Sequence, residues 1–125
     1  MNTYLIVGFG AFLGGAMRHG VNQMMMRLFG PGFPLGTFTV NVMGSLAMGL
    51  IVGYFAFKGQ ASQPIRLFLT TGLLGGFTTF SAFSLDFALL VERGEPLTAA
   101  IYGVCSVGLS ILALFAGLWL VRMAT

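Results

Sequence analysis

Charge is what this sequence has least of. Of its 125 residues, six are Lys or Arg, three are Asp or Glu and one is His, so only 7% are charged. A water-soluble domain carries about 25%. With 57% hydrophobic residues the chain has too few polar groups to cover a solvated surface, and it is expected to be an all-α integral membrane protein. Cysteine is almost missing as well. Cys105 stands alone among apolar neighbours, cannot close an internal disulfide, and reads as a small buried hydrophobe. The opening Met1-Asn2-Thr3 has no basic region, so a cleaved signal peptide is not expected. A net charge of +3 comes from scattered residues that form no nucleic-acid-binding patch.

Ionisable groups are missing from the centres of the apolar stretches, which narrows the chemistry further. Four stretches approach or exceed the roughly 20 residues needed to cross a bilayer: about 3–26, 37–57, 65–91 and 96–121. The loops between them are rich in Gly and Pro, and the whole chain reads as one four-helix transmembrane domain, 1–125. There is no nucleophile–base pair, no metal-ligand cluster and no room for a soluble site, so the chain is not expected to be an enzyme. A coupled transporter generally needs an embedded carboxylate or histidine. Asp86 and Arg18 come nearest, and both fall towards helix ends, which favours passive conduction.

What is present is glycine, hydroxyl groups and phenylalanine. The third stretch contains Gly75-Gly76-Phe77-Thr78-Thr79-Phe80-Ser81-Ala82-Phe83-Ser84. Paired glycines and adjacent β-branched threonines are poor material for a continuous helix. Irregular backbone at membrane depth is tolerated only where it is buried in protein or lines a polar cavity. A broken third helix is therefore expected, and with it an ion or substrate site. Thr98, Tyr102, Ser106 and Ser110 recur every fourth residue in the fourth stretch, as do Thr37, Asn41 and Ser45 in the second. That spacing keeps side chains on one helix face. These groups are neutral hydrogen-bond donors, suited to an anion. Phe80 and Phe83 fit the same reading, because the edge of a phenyl ring is electropositive. The bland alternatives are hydroxyls bonded back to their own helix and phenylalanines that merely pack.

Two further features bear on assembly. Lys58, Arg66 and Arg122 fall on one side of the membrane and Arg27 and Arg93 on the other, so the positive-inside bias is nearly balanced and insertion in both orientations is expected. Small residues recur at four-residue spacing: Gly10 with Gly14, Ser45 with Gly49 and Gly53, Gly72 with Gly76. Such faces pack helices closely, within one chain or between copies. Four short helices hardly enclose an aqueous path, so a homo-oligomer is the economical reading.

Gly72-x-x-Gly75-Gly76-x-Thr78-Thr79-Phe80-Ser81-x-Phe83 resembles the signature of the Fluc/CrcB fluoride channels. Gly36-Thr37-x-x-Val40-Asn41-x-x-Gly44 and Gly14-Gly15-x-x-Arg18 resemble its other motifs, and the likeness covers the whole chain. It implies an antiparallel, dual-topology homodimer in the cell (inner or plasma) membrane, with two pores passing fluoride passively out of the cytoplasm. It implies a structural sodium ion, not transported, held by the backbone carbonyls of Gly75 and Thr78. By the same resemblance Asn41, Phe80, Phe83, Ser81, Tyr102, Ser106 and Ser110 belong to the fluoride pore, and Arg18 stands near its entrance. Three positions depart from the family pattern: Ala82 where threonine is frequent, Asp86 where glutamate is common, and His19 in place of an aromatic. The alternative, a small multidrug-resistance-type exporter, needs an embedded glutamate in the first span, and 3–26 contains no acidic residue.

Overall fold

The computed structural model describes residues 2–58 and 62–124, with the side chains of Phe57 and Lys58 excluded. The middle of the expected second loop, 59–61, and the Lys58 side chain therefore lie outside the described residues. Regular structure among the described residues is helical throughout.

Helix α1 (Thr3–Phe29) is opened by Asn2, whose side-chain oxygen accepts from the Tyr4 amide at 2.8 Å. It runs three residues past the expected end at Met26 and closes at Gly30, whose φ of 78° suits glycine and whose N–H bonds back to the Met26 carbonyl. Helix α2 (Leu35–Lys58) follows after a short Pro/Gly loop. The third stretch is composite. A short α3 (Gln63–Leu67) passes into a π-helical segment (Phe68–Leu74) and a single turn, α4 (Gly75–Phe77). Thr78 and Thr79 then adopt extended dihedrals, with φ/ψ of −86°/159° and −154°/124°, before α5 (Phe80–Glu92) resumes. Helix α6 (Pro96–Ala124) completes the chain.

Three helical stretches, Leu35–Ala56, Gln63–Glu92 and Pro96–Ala124, are long and apolar enough to cross a membrane. Helix α1 has the length, at 27 residues, but Arg18, His19, Asn22 and Gln23 make its second half more polar. Most large apolar side chains point outward: Val104 is 73% exposed and Phe12 68%. In a bilayer this is the lipid-facing or partner-facing surface, not a defect.

Close backbone approach organises the interior. A Cβ on Gly10 would meet the Phe68 carbonyl and Leu73 amide, and one on Gly76 would lie 2.6 Å from the Ala11 carbonyl. Gly49 and Gly117 perform the same task between α2 and α6. The small-residue faces of Gly10/Gly14, Gly72/Gly76 and Gly49/Gly53 are thus consumed within one chain. They no longer argue for association between copies.

The sequence pattern carries no sign of the π-helical segment, Phe68–Leu74. Extra backbone width there sits against Gly10 and Gly14, where α1 presents no side chains. At its start the Thr70 hydroxyl donates to the Arg66 carbonyl at 2.6 Å, a back-bond that bends helices.

Candidate functional site

The site is built around the two extended threonines. Thr79 Oγ1 caps α5 by accepting from the Ala82 amide at 3.1 Å. The Thr79 backbone cannot use helical partners, and Asn41 from α2 supplies both that it needs. Thr79 N–H donates to Asn41 Oδ1 at 2.8 Å, and Asn41 Nδ2 donates to the Thr79 carbonyl at 3.1 Å. A neutral amide, with one acceptor and two donors, can satisfy both groups at once. On the other side of the break Arg18 Nε donates to the Gly76 carbonyl at 3.2 Å.

These bonds leave a particular set of acceptors behind. In an unbroken helix Thr79 N–H would serve the Gly75 carbonyl, and Ala82 N–H would serve Thr78. Both donors are diverted, to Asn41 and to the Thr79 hydroxyl respectively. The Gly75 and Thr78 carbonyls have lost their helical partners. A hard cation such as sodium takes oxygen ligands of this kind, so the two residues named by resemblance fit such an ion. Among the described residues no cluster of His, Cys, Asp or Glu could hold a metal.

Beside the break lies a cavity of about 400 Å³ between α2, α5 and α6. Asn41 and Ser45 line it from α2, Thr78, Thr79, Phe80 and Phe83 from the third stretch, and Ser106 and Ser110 from α6. The remaining wall is glycine and aliphatic or methionine side chains, and no lining residue is ionisable. Ser106 Oγ and Ser110 Oγ are buried and make no hydrogen bond within the protein. They do not bond back to their own helix, the usual fate of a membrane serine. The Phe80 and Phe83 rings stand 5.7 Å apart, and Phe80 is 77% exposed on the surface of the single chain.

Five of the expected pore residues, Asn41, Phe80, Phe83, Ser106 and Ser110, therefore converge on one cavity. Ser81 does not line it. It is exposed, with its Oγ 3.4 Å from Thr79 Oγ1. Tyr102 is fully buried behind Phe83, and its hydroxyl donates to Asp86 Oδ2 at 3.2 Å. Arg18 is part-buried on the Gly76 carbonyl. Sequence reasoning missed Thr79 as cap and cavity wall, the two hydrogen bonds of Asn41 to its backbone, and the Tyr102–Asp86 pair. A threonine directly before the resumed helix is a preferred N-cap residue and carried that signal; the other two join distant helices and left none.

A second cavity of about 340 Å³ opens at the end of the bundle that holds the Gly30–Pro34 loop. It is more polar, with Asn22, Thr37, Asp86 and Arg93 in its wall. Arg93 also donates to the Gly32 carbonyl at 3.0 Å and pairs with Glu95 at 3.1 Å, which ties that loop to the α5–α6 turn.

Long apolar helices, with no strand among the described residues, define a multi-pass helical membrane protein, and the helix break lies at a cavity with an uncharged wall. Residues 5–118 match the family described as CrcB-like protein, Camphor Resistance (CrcB), and the chain belongs to that family. It is 60% identical over 123 residues to a protein of Nitrobacter hamburgensis named fluoride-specific ion channel FluC 2, covering 98% of this chain and 99% of that one. It is 59% identical to a Rhodopseudomonas palustris protein and 52% identical to one from Hyphomonas neptunium, each named fluoride-specific ion channel FluC. These alignments cover 98% of this chain, and 99% and 97% of the respective relatives.

Proposed function

We propose that this chain is a fluoride-selective passive channel, not an enzyme, that lets fluoride leave the cytoplasm across the inner or plasma membrane. The observation that carries the reading is the pair of buried, protein-unpartnered hydroxyls, Ser106 and Ser110, on the wall of an uncharged cavity. Leaving a buried hydroxyl unpaired costs about 1–3 kcal/mol. A dehydrated anion takes two donors one helical turn apart as readily as water does. The second proton of the Asn41 amide adds a third donor, since the first serves the Thr79 carbonyl.

Weak binding is what conduction requires, because each site must be left as easily as it is reached. Neutral hydroxyls and ring edges supply it. No charged side chain lines this cavity, so nothing there holds the anion tightly or couples its passage to a proton. Phe80 and Phe83 both line the cavity, and their electropositive ring edges would meet an anion that passes the hydroxyl row. Selection for a small anion would come from size and donor geometry: short hydrogen bonds from hydroxyl and amide donors replace the tightly held water of a small ion, and a narrow passage would exclude a larger halide.

We place the working unit in an antiparallel homodimer with two such paths. The wide exposure of Phe80 at the cavity mouth favours it, because a second copy would complete the wall there. The backbone carbonyls of Gly75 and Thr78 would hold the structural sodium ion, whose positive charge offsets that of an anion passing nearby. Physiologically, hydrogen fluoride that diffuses into the cell dissociates there, and the trapped anion leaves down its gradient. Purified protein in liposomes should release fluoride to a fluoride-selective electrode while retaining chloride. Equal chloride release would refute the selectivity.

A further inference from the structure

Tyr102 continues the row of Ser106 and Ser110 along α6, yet its surroundings differ from theirs. The serine hydroxyls have no protein partner, whereas the Tyr102 hydroxyl donates its one proton to Asp86 Oδ2 at 3.2 Å. Tyr102 is 0% exposed and borders neither cavity. Its ring packs on Phe83 with centroids 5.1 Å apart, and the Phe33 ring meets it edge-on at 5.4 Å and 90°. Phe83 is in the wall of the first cavity, and Asp86, one turn further along α5, is in the wall of the second. Tyr102 thus stands between the two cavities and holds one residue of each.

We infer that Tyr102 is a positioning residue of the conduction path and not a ligand of the ion. A phenol has a single proton to donate, and here a carboxylate takes it, so the hydroxyl offers an anion no donor. The bond to Asp86 fixes the ring, and the ring fixes the attitude of Phe83. Asp86 acts through its acceptor oxygen and is not among the residues that line the uncharged cavity. The Phe33 contact brings the Gly30–Pro34 loop into the same cluster. This inference rests on the channel reading for its flux arm only.

The test is a cycle of Tyr102→Phe, Asp86→Ala, their double variant and Asp86→Asn, each checked as monodisperse before use. Tyr102→Phe and Asp86→Ala should each lower fluoride release about five-fold, the equivalent of one hydrogen bond, and reduce the preference for fluoride over chloride. The double variant should be no worse than either single one. Asp86→Asn keeps an acceptor oxygen and should stay close to the parent. Near-ultraviolet circular dichroism in detergent reports ring immobilisation without any flux: Asp86→Ala should lose the same tyrosine signal that Tyr102→Phe removes, and Asp86→Asn should keep it. Loss of flux in Tyr102→Phe with Asp86→Ala unaffected would make the hydroxyl a ligand and overturn the inference. So would additive effects, or an Asn variant as impaired as the Ala one. A parent protein that releases no fluoride would overturn the channel reading, and the dichroism comparison would still decide the pairing.

Discussion

The bond pair between Asn41 and Thr79 holds the helix break open, and Asn41→Leu removes it at nearly constant bulk. The structure supplies the magnitude. Two part-buried hydrogen bonds, at 2.8 and 3.1 Å, would be lost, leaving an extended backbone N–H and C=O without partners. Each orphaned group costs about 1–3 kcal/mol, or about 2–6 kcal/mol together. Polar side-chain contacts between membrane helices average only about 0.6 kcal/mol, because the unfolded state in the membrane also finds partners. That discount applies less here, since Thr79 is fixed in an extended conformation between two helical segments. A loss of about 2–3 kcal/mol is therefore expected, at the lower end of the backbone range. Reversible unfolding in mixed micelles by added sodium dodecyl sulfate, followed by far-ultraviolet dichroism, measures it directly. A Leu variant within about 0.5 kcal/mol of the parent, the range of an inert surface substitution, would show that the amide does not hold the break.

The glycines offer a contrast within one chain. Gly76→Ala places a Cβ 2.6 Å from the Ala11 carbonyl and should destabilise by about 1–3 kcal/mol in the same assay, whereas Gly8→Ala meets nothing within 4 Å and should be neutral or gain about 0.5–1 kcal/mol. Phe80→Ile or Phe83→Ile removes the electropositive edge and keeps apolar bulk, so fluoride release from liposomes should fall at least ten-fold, about 1.4 kcal/mol, and unchanged release would reduce both rings to packing. Purification and reconstitution free of sodium should abolish release if the Gly75 and Thr78 carbonyls hold that ion; full activity without sodium would remove it from the mechanism. Labelling of Lys58 in sealed vesicles should reach about half the copies from each side, as the balanced basic residues suggest, and a single orientation would exclude the antiparallel dimer.

Membrane residence, the helical periods and the convergence of one polar row with one break were legible in the residues themselves. They depend on composition and on repeats of three or four along a single helix, which short-range sequence carries in full. Thus Ser106 and Ser110, one turn apart, meet the same cavity, and the Gly-Gly and Thr-Thr pairs fall where the backbone turns extended. Partnership across the bundle was a different matter. Asn41 could have turned its whole amide to an ion; only the approach of α2 to Thr79 committed its oxygen and one N–H to backbone. Tyr102 has the register of the serines next to it, yet Asp86 and Phe83 on another helix take up its hydroxyl and its ring. The glycine faces announced close packing without a partner, and folding matched them within the chain. A helix face states what it can bind; which neighbour reaches it first depends on distances between helices, and these only the packed bundle determines.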